Sequence, residues 1–163
     1  MKRLTLLPLM ALLAMFSFSC STDSVDEEIE TITSSYVPQA KSMEIEILEL
    51  INNHRITNGL NALNNMDAIK AQAFGHTDYM IDNNEVSHDN FYQRKQNLQN
   101  TAGAITVAEN VAYAFSSAES VVNAWLNSEG HRNVIEGDYT NFDISAEKDI
   151  DGKWYYTNIF IKK

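Results

Sequence analysis

The sequence predicts an α+β domain with its sheet held between helical layers, on three observations. Apolar residues recur at helical spacing in the first half of the domain. Trp154 to Ile161 is apolar on both faces, as a strand covered from both sides must be. Asp151-Gly152 just before it is a hairpin signal. With 163 residues and no internal repeat, one domain is expected.

The N-terminus stands apart. Met1-Lys2-Arg3 is a charged start, and Leu4 to Phe18 is an apolar run broken only by Thr5, Pro8 and Ser17. It falls short of the ~20 apolar residues of a membrane span. Residues 1–19 therefore read as a signal peptide. Cys20 is the single cysteine, so no intrachain disulfide is possible. A small residue before a lone cysteine resembles a bacterial lipoprotein signal, although Ser17 stands where Leu is commoner. That resemblance implies cleavage before Cys20 and lipid attached to it, which makes the membrane a partner. Plain secretion with an incidental Cys20 is the alternative. Cleavage removes Lys2 and Arg3, leaving ten bases against 22 acids and a net charge of −12. Acyl chains, at about 0.8 kcal/mol per buried CH₂, would be the tether rather than charge.

Residues 20–40 form an acidic spacer. Asp23, Asp26, Glu27, Glu28 and Glu30 repel one another, and too little apolar surface is present to offset the entropy of ordering. An acidic stretch after a lipidated cysteine also resembles surface-export signals of some diderm bacteria.

The domain spans 41–163. Met43, Ile47, Leu50, Ile51 and His54 define a first helix, with Ser42 as its expected N-cap and Asn58-Gly59 as its stop. A second helix is expected from about Asn65 to Asn83-Asn84, burying Ile69, Ala73, His76 and Met80. Ser87 to Asn90 is a turn, and the polar stretch 91–100 can form a short helix. A strand is expected within Ala104 to Ala114. Ser116 to Glu119 has capping-box spacing before a helix that buries Val121, Val122 and Trp125. Phe142, Ile144 and Ala146 alternate with polar residues, so a half-covered strand is expected there.

Hydrophobic content of 44% is ordinary for a globular chain. The formal charge of −10 argues against nucleic acid as a partner, because phosphate contacts need clustered Lys and Arg.

Three polar sites stand out: His88 in a turn, Glu109 near a strand, and His131 after Gly130 beyond the Trp125 helix. Two neutral imidazoles and a carboxylate can hold zinc or a similar divalent cation with one position open. Gaps of 21 and 22 residues do not establish that they meet. His131 can equally be an exposed helix-cap residue and His88 a turn residue. Glu109 can pair with Arg55 or Arg132 as a structural ion pair. His76 and His54 read as core or hydrogen-bonding residues, Arg55 as a loop brace, and Asp149 to Gly152 as a hairpin turn.

The surrounding words carry a resemblance. Asn52-Asn53-His54-Arg55 with Gly59 and Leu63, the Ala71 to Met80 helix leading to Ser87-His88, Glu109-Asn110-Val111-Ala112, and Trp125 to Arg132 occur in this order. In these the chain resembles the CAP superfamily of cysteine-rich secretory, antigen 5 and pathogenesis-related proteins, also called SCP domains. The resemblance runs from about Met43 to Phe160. It implies a three-layer α-β-α sandwich with a small, mostly antiparallel sheet, and a cleft lined by two histidines and two glutamates. His88, Glu109 and His131 match three of the four. Ser128 stands where animal and plant members carry the second glutamate. Glu129 is adjacent, a possible cleft carboxylate turned by about 100° on a helix.

Three functions are expected to compete. The first is a membrane-tethered extracytoplasmic binding domain whose cleft takes a divalent cation or a small polar or lipid ligand. The second is a metal-dependent hydrolase of cell-envelope polymer or peptide, with Glu109 as general base. The third is a lipid carrier. Fold does not decide among them.

Overall fold

The computed structural model describes residues 36–163. The expected signal peptide, Cys20 and most of the acidic spacer lie outside the described residues.

Helix α1 spans Ser42–Thr57. Its N-cap is Lys41, not the expected Ser42. Glu44 decides this: its Oε2 accepts the Lys41 backbone N–H at 2.7 Å. Its Oε1 accepts the Ala146 N–H at 2.8 Å and lies 2.6 Å from Lys70 Nζ. Buried contacts of this kind fix the entry better than a serine hydroxyl could. Gly59, at φ +74°, supplies the left-handed residue that ends the helix.

A two-residue strand β1, Asn64–Asn65, precedes helix α2, Asp67–Asn83. Ile69, Ala73, His76 and Met80 are buried on α2 as their spacing requires. Asn84 stops it in the left-handed conformation, at φ 49°. The polar stretch beyond forms helix α3, Phe91–Ala102. Strand β2 is Thr106–Tyr113 and helix α4 is Ala118–Asn127. The α4 cap is Ser117 rather than Ser116, and Ser120 closes the box in place of Glu119.

Residues 129–135, for which no element was expected, form a short helix α5, Glu129–Ile135. Ile135 is its buried anchor. Strands β3, Asn141–Lys148, and β4, Trp154–Lys162, complete the chain. The turn between them holds Gly152 at φ +79°, and Asp149 Oδ1 accepts the N–H groups of Asp151 and Lys153.

The sheet order is β1-β3-β4-β2. β4 pairs antiparallel with β3 and β2, and only β1 runs parallel to its neighbour. One face packs Phe142, Ile144, Tyr156 and Phe160 against Ile47, Ile51 and Trp125 of α1 and α4. The other packs Val107, Ile159 and Ile161 against Ile69, Ala73 and Leu98 of α2 and α3. The result is the expected α-β-α sandwich. Each fully buried large side chain contributes about 1.5–3 kcal/mol.

β3 departs from expectation: both its faces are covered. Asp143 and Ser145 alternate away from Phe142 and Ile144, yet α2 packs over them. Asp143 is tolerated because its carboxyl accepts the N–H groups of Ile144 and Met66. Burial still pushes its pKa up to about 6, against the pull of those N–H groups and of Lys70. Arg55 braces the loop after α1. Its guanidinium donates to the carbonyls of Asn61, Ile135 and Gly137.

Candidate functional site

β2 is an edge strand, and the site is built across it. Residues Glu109 and Asn110 point to opposite faces, as neighbours on a strand must. Glu109 faces the α2/α3 layer. Its Oε1 accepts from His88 Nδ1 at 2.9 Å. Asn110 faces the other layer, where its Nδ2 donates to the backbone carbonyl of His131 at 3.0 Å. Two successive residues thus fasten one histidine segment on each side of the strand.

His88 sits in the turn between α2 and α3, with its side chain 54% exposed. Its carbonyl accepts the Phe91 N–H, and Asn90 caps α3 in the left-handed conformation. A carboxylate can only accept. Neutral His88 therefore carries its proton on Nδ1 and leaves Nε2 as a lone pair. His131 lies on α5, its Nδ1 at 2.8 Å from Ser128 Oγ, the residue that caps that helix. When the hydroxyl accepts, Nε2 of His131 is a lone pair as well. Burial lowers the His131 pKa, and the charge of His88 lowers it further.

Glu109 is 8% exposed and Arg94 of α3 is 6% exposed. Arg94 Nε donates to Glu109 Oε2 and Nη2 to Oε1, both at 2.8 Å, a bidentate fork. Arg94 Nη1 donates to the Asp89 carbonyl, fixing the turn that carries His88. Burial raises the Glu109 pKa, but the hydrogen bonds from His88 and Arg94 and the nearby positive charge outweigh it, so the net shift is downward. Sequence reasoning offered Arg55 or Arg132 as the partner. Arg55 is consumed by carbonyls, and Arg132 donates to the carbonyl of Leu126.

Behind Glu109 lies His76, with Nδ1 3.7 Å from Glu109 Oε2 and 3.1 Å from Thr157 Oγ1. Burial drives its pKa down to about 4, so it is neutral. Its Nε2 has no hydrogen-bond partner among the described residues.

The remaining residues are placed as follows. Glu129 is exposed in the first turn of α5. Ser128, at the position of the family's second glutamate, contacts His131 through its hydroxyl. His54 pairs with Glu136 at 2.9 Å. Among the described residues, no group of three or more His, Cys, Asp or Glu side chains is arranged to hold a metal ion. A hollow of about 390 Å³ lined by Ile45, Leu48, Asn52 and Asn65 lies beside α1 and β1, at the opposite edge of the sheet.

Arg94 and His76 were missed as site residues. Arg94 sits in a stretch without apolar periodicity, where only its place six residues after His88 could have drawn notice. His76 has the spacing of a core residue and is one.

A model of the cysteine-rich secretory protein (CAP) family matches residues 48–159, which include His76, His88, Arg94, Glu109 and His131. The chain is 35% identical over 124 residues to the uncharacterized membrane protein YlbC of Bacillus subtilis, covering 74% of this chain and 34% of that protein. It is 30% identical over 120 residues to the uncharacterized protein YkwD of the same organism, covering 71% and 47%. It thus spans between a third and a half of these relatives. An SCP-domain extracellular protein of Bacillus anthracis aligns with a TM-score of 0.63 at 31% identity, over 74% of this chain and 40% of that one. A cysteine-rich secretory protein of Staphylococcus aureus aligns with a TM-score of 0.66 at 25% identity, over 78% and 40%. An outer surface protein of Borrelia burgdorferi shares the fold, with a TM-score of 0.65 at 23% identity over 72% and 90%. The chain belongs to the CAP, or cysteine-rich secretory protein, family.

Proposed function

We propose that this chain is an extracytoplasmic binding domain, tethered to a membrane through a lipidated Cys20, whose His88 and His131 hold a divalent cation or a small polar or lipid ligand. One observation carries the reading: each ring has its Nδ1 engaged, by Glu109 or by Ser128, at either side of the β2 edge. Engagement of one ring nitrogen by an outer-shell partner is how proteins orient a metal-binding histidine. The names of relatives support the location, since they include a membrane protein, an extracellular protein and an outer surface protein.

The donor set fits a cation in part. Among the described residues neither His88 Nε2 nor, when Ser128 accepts from Nδ1, His131 Nε2 is engaged, and such a nitrogen suits zinc. Glu109 does not fit as a ligand, because Arg94 occupies both its oxygens. A bound cation would supply an electrophilic centre for a polar group of the ligand. Glu109 instead orients His88, Ser128 orients His131, and Asn110 fastens the His131 segment to β2. The hydrolase reading gains nothing from this geometry, since a carboxylate with lowered pKa and a guanidinium donating to both its oxygens is a weak general base.

Calorimetric zinc titration tests the proposal. The wild-type chain should bind, and a His88→Ala, His131→Ala double variant should not. Equal binding by both would remove it.

A further inference from the structure

Strand β2 turns half of its main-chain groups away from the sheet. It lies at the edge, with β4 as its only neighbour in the sheet order. Its register against β4, together with the bond from the Ala114 N–H to the Trp154 carbonyl, fixes which groups face inward. Even-numbered residues present N–H and C=O to β4, so those of Val107, Glu109, Val111 and Tyr113 point outward. Trp125 marks that outer side, because its Nε1 donates to the Val111 carbonyl at 3.1 Å. Among the described residues no other hydrogen bond reaches the outward main-chain groups. Glu109 is 8% exposed as a residue but 1% exposed in its side chain, so what solvent reaches there is main chain. Edge strands are commonly blunted by Lys, Pro or a bulge. Thr106–Tyr113 holds neither Lys nor Pro, and its register with β4 runs without a break.

Alternating outward N–H and C=O groups are matched by another extended main chain. We propose that the β2 edge at Val107–Glu109 binds a short, non-acidic peptide as an added strand. The two residues offer two donors and two acceptors. Farther along, the Trp125 indole takes the Val111 carbonyl and stops the pairing. That stop, with a net charge of −10 on each chain, disfavours a second copy of β2 laid along the whole strand. A short segment meets no such obstacle, and the same excess of acid selects against an acidic one. Glu109 holds the His88 segment on one face of β2 and Asn110 holds the His131 segment on the other, so the added strand runs between them. A peptide ligand deepens, and so rests on, the binding-domain reading above, but its main-chain bonds need no cation.

The test exposes the full chain, in EDTA, to an array of short capped peptides lacking Asp and Glu. Each binder is made again with N-methyl groups on one or the other alternate set of its amides. A strand paired to β2 donates through one set only, so methylating that set should weaken binding by about tenfold or more, and methylating the other should leave it within about twofold. Amide hydrogen exchange read by NMR locates the contact. In the free chain Val107 and Glu109 should exchange fast and Ala108 and Asn110 slowly; saturating peptide should slow the first pair by about tenfold or more. An array without binders, binders whose two methylation patterns act alike, or no new protection at Val107 and Glu109 overturns the proposal. Slow exchange of these two amides in the free chain, or slowing that grows with protein concentration, shows the edge already covered, in the second case by another copy, and overturns it too. EDTA separates this outcome from the zinc titration: peptide binding without zinc binding sinks the cation reading alone, and zinc binding without peptide binding sinks the added strand alone.

Discussion

Separating Glu109 from Arg94 should be among the most damaging changes to this domain. The two side chains are 8% and 6% exposed, and two donors of one meet two acceptors of the other at 2.8 Å. Removing one member of such a buried pair leaves an uncompensated charge, at a cost of about 3–5 kcal/mol. Glu109→Leu strands the guanidinium, and Arg94→Met strands the carboxylate. The double variant strands neither and should cost about 2 kcal/mol or less. A coupling of about 3 kcal/mol or more is therefore expected from the cycle. Equilibrium urea unfolding, followed by the fluorescence of Trp125 and Trp154, measures it at pH 7. The pH dependence has a definite sign. The Glu109 pKa is lowered on folding from its ordinary 4.5. Its contribution is thus present above that value and lost as pH falls through the folded pKa. Single variants that each cost under about 1 kcal/mol and simply add would show a solvated pair, and the argument for a buried Arg94–Glu109 fork would fail.

Asp143 should behave with the opposite sign. Its folded pKa of about 6 lies above the ordinary 3.8, so its contribution is fully present below 3.8 and is lost as pH rises through 6; the loss between pH 4 and pH 7 is on the order of 2 kcal/mol. Asp143→Asn should therefore gain stability relative to wild type by about that amount over the same range, and parallel urea profiles would contradict the assignment. Arg55→Lys should cost about 2 kcal/mol, because one ammonium cannot serve the carbonyls of Asn61, Ile135 and Gly137 together. A melting temperature within 1 °C of wild type, on the order of the measurement error, would refute that. Ser117→Ala should cost about 1 kcal/mol through the lost α4 cap, measured by the same unfolding curves, and a neutral result would shift the cap elsewhere.

What the sequence made legible was whatever repeats along an element. The spacing of Ile69, Ala73, His76 and Met80 marks α2, and the two-sided apolar run of β4 marks the sheet's centre. The sandwich follows from these with the hairpin at Gly152. Illegible were the features that depend on a partner far along the chain. Asp143 and Ser145 look solvent-facing by alternation, yet α2 covers them because backbone N–H groups satisfy the Asp143 carboxyl. Ser42 looks like a cap until Glu44 is seen reaching back to Lys41. Residues 129–135 carry too few apolar side chains to announce a helix, which Ile135, with the partly buried Val134, anchors on the core. At the site, His88, Glu109 and His131 were named from family words rather than from spacing. Arg94 was missed because nothing along α3 reveals which carboxylate lies across from it. The same blindness suggested Arg55 and Arg132 as partners, though both are spent on backbone carbonyls.

The most direct test of the proposed site is to watch its two imidazoles during zinc addition by ¹⁵N–¹H correlation of the histidine side chains. Nε2 of His88 and of His131 should shift together and saturate at one equivalent, while His54 and the buried His76 stay unmoved. Movement of only one of the pair, or of neither, would contradict the claim that they share a single binding position.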